Sequence, residues 1–308
     1  MEESKQAKHI ISISLGSSKR DASAVLELAG QKVHIERRGT DGDFNKAREL
    51  MEQWDGRVDA MGLGGTDLYV YAGKERYTFR ESARLIANVK HTPVLDGSGL
   101  KNSLERKVIH DLATSHQLPI KGSKVLLVCA VDRFGMAEAF MDAGAQVTFG
   151  DLLFGLNINR PLYSLKALAW WAKLLAPVVT KLPVSWFYPM GKEQEKRVLR
   201  YPEYFRESDI IAGDFHYIKK FMPDSLPGKI IITNTVTAAD REMLKKAGVK
   251  ILVTTTPCIK GRSFGTNVME ALLVALQNGK GPLSAAEYLK LIEHYHIKSS
   301  VEYLAAKE

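Results

Sequence analysis

The chain has 308 residues, a length sufficient for two domain cores of ordinary size. Hydrophobic residues make up 45% and charged residues 25%, which is the composition of a globular protein and excludes a disordered or fibrous chain. The net charge of +8 would attract phosphorylated cofactors, nucleic acid or anionic lipid. No RNA-reading motif, helix-turn-helix or zinc finger accompanies that charge, so we predict no nucleic-acid partner.

The first residues and the cysteines indicate the compartment. The N-terminus runs directly into a predicted strand, so we expect no signal peptide. Cys129 and Cys258 are far apart, which suits two reduced thiols and excludes a disulfide framework. We therefore expect a cytoplasmic protein, and the sequence shows no metal-binding motif.

Residues 1–120 are predicted to form a mixed α/β domain. Asp43 is placed to cap a helix whose apolar residues recur at helical spacing. Polar, glycine-containing loops follow several of the predicted strands. The expected strands cover residues 9–15, 24–28, 32–38, 58–63 and 93–95, with helices over 44–54, 80–89 and 103–116.

Residues 121–308 alternate strands with helices, which implies right-handed crossovers and a parallel sheet. Strands are expected at 124–130, 146–149, 209–212, 229–233 and 250–255, with helices at 134–143, 238–247 and 263–278 and a last helix capped by Ser284. The fold class is therefore α/β, with an N-terminal mixed α/β domain and a C-terminal Rossmann-like parallel-sheet domain. Residues 152–205, rich in tryptophan and lysine, interrupt the alternation as an insertion.

The loop after the first strand of the second domain stands where a dinucleotide fingerprint belongs. Gly135 takes the place of the third glycine, whereas Ala130 and Asp132 replace the first two. Asp151 closes the next strand at the distance expected for an acid that binds a ribose hydroxyl. We predict that Asp132, Arg133, Gly135 and Asp151 bind NAD or NADP. The alternative is a Rossmann-shaped domain that holds no dinucleotide or holds it differently.

Polar residues also follow the later strands of this domain. The carboxyl ends of parallel strands bind ligands in such sheets, so Thr233, Asn234 and Thr255 are added to the cofactor site. Arg262 and Asn267 lie at a helix start and are predicted to bind an anionic substrate.

Two candidate proton-transfer groups stand out. His216 follows Asp214 by two residues, which on a strand end would let the carboxylate orient the imidazole for general acid–base catalysis. Lys101 follows a glycine loop and can hold a phosphate or exchange a proton with a hydroxyl group. Asp96 and Asn102 flank that lysine and are predicted to contact the substrate.

The segment 163–188 is predicted to cover an apolar surface. On a helix Leu168, Trp171 and Leu175 share one face, which leaves Trp170 outside. The apolar part is too short for a membrane span, and we expect Pro177 to break it. The segment is predicted to be a lid or a subunit contact in a homo-oligomer, or alternatively a peripheral contact with membrane lipid.

Three stretches resemble bacterial chains described as quinate 5-dehydrogenase-like, namely residues 131–139, 232–237 and 261–271. The resemblance implies a two-domain dehydrogenase that oxidises a cyclic polyol acid with a nicotinamide dinucleotide. The N-V-T-x-P-x-K stretch and the G-A-G-G loop of shikimate dehydrogenases are absent from this sequence.

The function predicted from the sequence is thus an NAD(P)-dependent oxidoreductase acting on a small hydroxy acid or cyclic polyol acid. Two alternatives remain. The opening order of elements resembles the first half of acetate-kinase-like phosphotransferases, and the degenerate fingerprint is compatible with a non-catalytic sensor of a nucleotide or lipid.

Overall fold

The computed structural model describes residues 7–72, 75–186, 196–259 and 262–304. Its helices are α1 (Phe44–Trp54), α2 (Arg80–Leu85), α3 (Ser98–Asn102), α4 (Leu104–Thr114), α5 (Phe134–Asp142), α6 (Leu165–Val179), α7 (Pro202–Glu207), α8 (Phe215–Phe221), α9 (Ala238–Lys246), α10 (Thr266–Leu276) and α11 (Ala285–His294). Its strands are β1 (Lys8–Ser14), β2 (Ala22–Leu28), β3 (Gln31–Gly39), β4 (Ala60–Gly64), β5 (Tyr69–Ala72), β6 (Glu75–Thr78), β7 (Val94–Leu95), β8 (Lys124–Leu127), β9 (Gln146–Phe149), β10 (Ile210–Ala212), β11 (Ile230–Thr233), β12 (Ile251–Thr254), β13 (Cys258–Ile259), β14 (Arg262–Ser263) and β15 (Ser300–Tyr303).

The first sheet has the strand order β2-β3-β1-β4-β7. Strand β1 lies in its middle and pairs in parallel with β3 and β4, while β2 pairs antiparallel with β3 at the edge. Ile10, Ile11 and Ile13 of β1 are all fully buried, as expected for a strand covered on both faces. Asp43 caps α1 by accepting a hydrogen bond from the Lys46 N–H at 3.0 Å, which confirms the predicted helix start.

The second sheet has the order β15-β12-β11-β10-β8-β9, and all of its strands except β15 are parallel. Counted from β8, the parallel strands follow the doubly wound order 2-1-3-4-5, whose topological switch point lies between β8 and β10. The predicted α/β fold class with Rossmann-like parallel strands is confirmed. Ser284 caps α11 in a capping box with Glu287, also as predicted.

The two sheets are connected by helices that cross between them. Helix α10 follows the parallel strands of the second sheet in sequence but packs on β1 and β4 of the first. Helix α4 precedes the second sheet and packs on α5. Because each half contributes a helix that packs on the other, the carboxyl ends of the two sets of parallel strands lie around one cleft.

Helix boundaries differ from the sequence prediction around residue 100. The helix expected to begin at residue 103 starts earlier, as α3, and is interrupted at Ser103 before α4 continues. Gly97 makes the early start possible because its φ of +92° is a left-handed conformation that L side chains rarely adopt. The helix predicted from residue 263 begins at Thr266 instead, after the antiparallel pair β13–β14.

The expectation that Pro177 breaks the helix of segment 163–188 is wrong, since α6 continues through it to Val179. Proline removes one hydrogen bond, to the carbonyl of Lys173, and that residue lies on the exposed face where water can replace the bond. Leu168 is buried, Trp171 and Leu175 are half-buried, and Trp170 is 59% exposed, as the spacing predicted. Residues 187–188 lie outside the described part.

Helix α6 spans both halves of the molecule. Leu168 and its neighbours pack into the core that includes the second sheet, while the helix also contacts the hairpin β5–β6 of the N-terminal half. An ion pair of 2.8 Å joins Lys173 to Glu75 of that hairpin. Among the described residues no helix is long and apolar enough to cross a membrane.

Candidate functional site

A cavity of about 270 Å³ lies between the carboxyl ends of the two sheets, at the switch point of the second. Strands β1, β3 and β4 and the segments following β7, β8, β9, β10 and β11 all reach it. From the N-terminal half it is lined by Ser12, Ser14, Arg20, Arg37, Gly64, Gly65, Thr66, Asp67, Asp96 and Lys101, and from the C-terminal half by Cys129, Asp132, Arg133, Asp151, Asp214, His216, Asn234, Thr235 and Asn267, among others.

Lys101 lies at the base of this cavity between two carboxylates. Its Nζ is 2.6 Å from Asp67 Oδ1 and 2.6 Å from Asp132 Oδ1. The lysine side chain is 6% exposed, so both ion pairs are shielded from water. Asp67 follows β4, Lys101 comes from α3 and Asp132 from the turn before α5, so three elements converge on this lysine–carboxylate cluster.

The cluster shares one proton between its two acids at neutral pH. Burial and the charge of Asp132 raise the pKa of Asp67 to about 8, although Lys101 opposes the shift. Burial would also raise the pKa of Asp132, but Lys101 and Arg133 together hold it below its ordinary value. Burial disfavours the charged lysine, yet Asp132 and Asp67 outweigh this and raise the pKa of Lys101. The arrangement is therefore a charged lysine, an ionised Asp132 and a protonated Asp67.

Arg133, predicted to bind the cofactor, is 1% exposed and committed to other side chains. Its Nη1 donates to Glu105, its Nη2 lies 3.3 Å from Asp214 Oδ2 and its Nε 3.9 Å from Asp132 Oδ2. The guanidinium compensates the carboxylates that gather on this side of the cavity.

The Asp151 carboxylate accepts hydrogen bonds from the backbone N–H groups that would otherwise bind the pyrophosphate of a dinucleotide. Its Oδ1 accepts hydrogen bonds of 2.9 Å from the N–H groups of both Ala130 and Val131, in the loop that follows β8. Burial raises the pKa of Asp151 to about 6 despite these two donors. In a Rossmann fingerprint this loop offers its amides to pyrophosphate, and here Asp132 adds a second carboxylate to it. These residues do not fit NAD or NADP in the usual binding mode.

Gly135 serves packing in this structure. A Cβ built on it would lie 2.9 Å from the backbone oxygen of Asn102 and 3.0 Å from its Cα. Gly135 therefore lets α5 approach α3 closely, which is the packing role of the third fingerprint glycine.

The structure gives Asp214 a role other than the predicted one of orienting the His216 imidazole at a strand end. Asp214 is the N-cap of α8, and its Oδ1 accepts from the backbone N–H of His216 at 2.8 Å. A polar residue just after a strand can equally cap the following helix, and here it does so. Asn234 Nδ2 donates to Asp214 Oδ2 at 3.0 Å. Burial would raise the pKa of Asp214, but His216 and Arg133 hold it at about 2.

His216 instead faces the N-terminal half across the cleft. Its Nε2 lies 2.5 Å from Nη1 of Arg20, and burial together with that cation lowers the pKa of His216 to about 4. The imidazole is neutral at ordinary pH and accepts the hydrogen bond from Arg20. It connects the two halves of the molecule beside the cavity.

The N-terminal side of the cavity carries residues that the sequence reasoning missed. Arg37 donates from Nη2 to Ser14 Oγ at 3.1 Å and from Nη1 to Asp21 Oδ1 at 2.9 Å. Asn267, a predicted substrate contact, donates to Ser12 Oγ at 2.9 Å. The signal was present in β1, because Ser12 and Ser14 alternate with buried isoleucines.

The remaining predicted residues divide into two groups. Asp96 and Asn234 line the cavity, although Asp96 also accepts from the backbone of Leu68, Tyr69 and Ser98. Side chains outside the lining are those of Asn102, which donates to the Ser98 carbonyl, Thr233, which donates to the Gly213 carbonyl, and the fully buried Thr255. Arg262 begins β14, and its side chain lies outside the described part.

The two family models that match this chain describe domains without an assigned activity. Residues 99–304 match a family model described as Domain of unknown function (DUF8754), and residues 9–96 match one described as Domain of unknown function (DUF8753). No curated protein matches the chain. Since neither description names an activity, the resemblance to quinate and shikimate dehydrogenases stays a prediction.

Solved structures of different functions resemble the chain distantly. A galactofuranose binding protein matches with a TM-score of 0.38 and 10% identity over 96% of this chain and 95% of that one. The NAD-dependent malic enzyme from Thermotoga maritima matches at 0.35 and 12% over 94% and 84%. An arabinose binding protein from Geobacillus stearothermophilus matches at 0.36 and 10% over 81% and 82%. With TM-scores this low, the matches carry no argument about function.

Proposed function

The chain belongs to the DUF8754 family, and we propose that it is an enzyme that transfers a proton at a hydroxyl group of a small, hydroxylated anion bound in the cleft. The observation that carries this proposal is the position of Lys101 between Asp67 and Asp132, buried at a cavity between two sheets. Buried acids with shifted pKa values beside a cation in a cleft are typical of catalytic groups.

Asp67 is the proposed general acid–base. Its pKa of about 8 lies close to neutral pH, where a group can both accept and return a proton. Lys101 stays charged, and its two carboxylate partners take two of the three donors of an ammonium group. The third donor stabilises the oxyanion that forms when the substrate hydroxyl loses its proton. Asp132 keeps the lysine charged and in place.

The rest of the lining indicates the substrate class. Arg20 and Arg37 suit a carboxylate or phosphate group, and the serine hydroxyls and Asn267 suit substrate hydroxyls. Asp151 Oδ2 is buried with no hydrogen-bond partner among the described residues, so it is available to a ligand hydroxyl. The cavity volume of about 270 Å³ is close to the lower limit for ligand pockets, which suits a small substrate. Hydroxy acids, sugar acids and sugar phosphates share these properties.

Ligand-induced thermal stabilisation tests the substrate class, because a compound that binds only the folded chain raises its melting temperature. We expect stabilisation by at least one hydroxylated acid or sugar phosphate, and its loss in Arg37→Gln. The matched control is Lys107→Gln, which removes a partly exposed cation that pairs with Asp111 outside the cavity. If no anion of these classes stabilises the wild type, the substrate class is wrong.

The reaction is tested with the compound found in that way. Asp67→Asn should still bind it, whereas turnover should fall by about 10²–10⁴ because general acid–base assistance is lost. Undiminished turnover in this variant would remove Asp67 from the chemistry. Unchanged binding together with lost turnover separates the proton-transfer role from a role in substrate affinity.

A second candidate is an NAD(P)-dependent oxidoreductase acting on a small hydroxy acid or cyclic polyol acid. It is favoured by the 2-1-3-4-5 strand order with the cavity at its switch point. Oxidation of a hydroxyl group also requires removal of its proton, so Asp67 and Lys101 would keep their proposed roles. Titration of wild type and Asp151→Ala with NADH and NADPH, followed by nicotinamide fluorescence, tests it. Binding of either cofactor by the wild type supports the dehydrogenase activity. Binding by the variant alone indicates that the Asp151 carboxylate blocks the position of the cofactor.

A further inference from the structure

We propose that His9, His34 and Glu36 form a binding site for a divalent transition metal such as Zn²⁺. His9 and His34 lie in the first halves of β1 and β3, and Glu36 lies just past the middle of β3, whereas the cleft lies at the carboxyl ends of these strands. The site is therefore separate from the lysine–carboxylate cluster, and the proposal does not depend on the function proposed above.

Strand register places the three side chains on one face of the sheet. His9 pairs with His34 in the parallel ladder between β1 and β3, so their side chains point the same way. Glu36 lies two residues beyond His34 in β3, so its side chain points to the same face of the sheet. One ligand atom from each residue lies within 4.8 Å of the other two.

The distances leave only a small adjustment for a metal ion. Glu36 Oε1 lies 3.3 Å from His9 Nε2 and 3.6 Å from His34 Nδ1. Tetrahedral zinc with bonds of about 2.0–2.2 Å holds its ligand atoms roughly 3.3–3.6 Å apart. Both carboxylate–imidazole separations already meet this geometry, so closing the site requires mainly that the two imidazoles rotate toward each other.

One ligand atom lacks a partner without the metal. His9 Nε2 is buried from solvent and makes no hydrogen bond among the described residues, because its contact with Glu36 does not have hydrogen-bond geometry. Buried polar atoms are normally satisfied, so an unpaired imidazole nitrogen 3.3 Å from a carboxylate oxygen and near a second imidazole indicates a missing ligand. A metal ion at this position would bond to it directly.

Neighbouring residues contact two of the three ligands, His9 and Glu36. The His9 ring stacks on His34 with 4.8 Å between centroids, and it meets the Trp54 ring edge-on at 5.5 Å. Arg38 donates from Nη2 to Glu36 Oε2 at 2.8 Å, which leaves Oε1 for the metal. Such outer contacts orient metal ligands in known sites.

The ligand set selects the kind of metal. Two imidazoles and a carboxylate suit Zn²⁺ and other first-row transition ions, whereas Ca²⁺ and Mg²⁺ prefer all-oxygen sites. Three protein ligands leave a fourth position for water. The His9, His34 and Glu36 side chains are 27%, 39% and 12% exposed, so solvent and metal reach the site.

Titration of the tag-free chain, stripped with a chelator that is then removed, tests the proposal. With Co²⁺ as the spectroscopic probe we expect visible ligand-field bands that saturate at one ion per chain and are displaced by Zn²⁺. Zn²⁺ should also raise the melting temperature of the wild type. His34→Ala and Glu36→Gln should each weaken binding at least tenfold.

His110→Ala is the matched control, because that imidazole is 73% exposed and lies on α4, in another part of the molecule. It should leave the titration unchanged. Since His34 is itself partly exposed, its variant should keep the fold, and a far-ultraviolet spectrum checks this. Absence of saturable Co²⁺ bands in the wild type, or bands that survive in His34→Ala and Glu36→Gln, would overturn the site.

Discussion

The two sheets reach one cleft with opposite chemistry. The N-terminal side presents the cations of Arg20, Arg37 and Lys101 beside Asp67 and Asp96, with serine hydroxyls and the amide of Asn267 from α10, which packs on that sheet. The C-terminal side presents one cation, Arg133, and the carboxylates of Asp132, Asp151 and Asp214. An anionic group is attracted to the first side and repelled by the second. The difference indicates that a ligand's anion lies against the arginines of the N-terminal side, next to the cluster in which Asp67 and Lys101 of that side meet Asp132 of the other.

In the second sheet, the strand order and the residues at the ligand-binding edge point to different functions. Strand order and crossovers in the second sheet are those of nucleotide-binding domains, yet its first loop gives two amides to Asp151. A fold supports many activities, and the residues at its ligand-binding edge decide among them. Four predictions test this division between the two sides, from the largest expected effect to the smallest.

The largest effect is expected for Arg133→Met. The substitution leaves Glu105 and Asp214 without their shared cation, and breaking a buried pair in this way costs about 3–5 kcal/mol. Arg106→Met is the control, since its pair with Glu138 is partly exposed and should contribute about 0–1 kcal/mol. Urea unfolding of both variants measures the difference. Equal small losses would mean that Arg133 does not hold the carboxylates together.

Gly135→Ala should lose about 1–3 kcal/mol, the cost of overpacking a tight contact. The added methyl would meet the backbone of Asn102 rather than a flexible side chain. Gly155→Ala is the matched control, because a Cβ there has nothing within 4 Å. Urea unfolding should show the loss for the first variant alone. A Gly135→Ala chain as stable as the control would show that the two helices can separate slightly.

The sequence predicted the fold well where the signal is local. Apolar runs mark the buried strands, and Asp43 and Ser284 mark helix starts by a bond to a backbone N–H only three residues away. The role of Asp214 was missed although it is equally local, because a polar residue after a strand is compatible with either a catalytic or a capping function.

The candidate site was predicted only in part. Lys101, Asp132 and Asp151 were identified from loop positions, but the partner of the lysine was not, since Asp67 lies 34 residues away and meets it only in the folded chain. Arg37 was missed for a related reason, because a charged residue in an edge-proximal strand usually faces water. Pairings between elements distant in sequence leave no local pattern.

The pH dependence of stability tests the shared proton of Asp67. An acid whose pKa is raised in the folded state holds a proton that the unfolded chain has lost, so stability falls as pH rises from about 3.8 to about 8. The slope from one proton reaches about 1.4 kcal/mol per pH unit. Asp67→Asn should flatten the profile across this window. Asp132 does not interfere, because its lowered pKa places its contribution at more acidic pH.

Thermal unfolding of wild type and Asp67→Asn at a series of pH values measures this difference. Burial of Asp151 and Glu270 also raises their pKa values, to about 6 and about 7, so both chains keep some slope and only the difference between them is informative. Parallel profiles would mean that the pKa of Asp67 is not raised in the folded protein, so Asp67 would lack the near-neutral pKa on which its proposed general acid–base role depends.

The smallest effect on stability is expected at the outer face of α6, the helix that bridges the two halves. Trp170, Leu174 and Val178 are 59%, 53% and 59% exposed and lie one turn apart in a row. Trp170→Ser should change the free energy of unfolding by no more than about 0.5 kcal/mol, because this ring contributes little to the core.

A substitution on the inner face of the same helix provides the contrast. Leu168→Ala should cost about 2–5 kcal/mol, since Leu168 is fully buried. What Trp170→Ser should change is an association, because an exposed apolar row of this kind suits a contact with another surface. Sedimentation measures loss of a homo-oligomer, and co-sedimentation with anionic vesicles measures loss of lipid binding. If Trp170→Ser destabilises the chain as much as Leu168→Ala does, Trp170 belongs to the core and the outer face of α6 has no separate role.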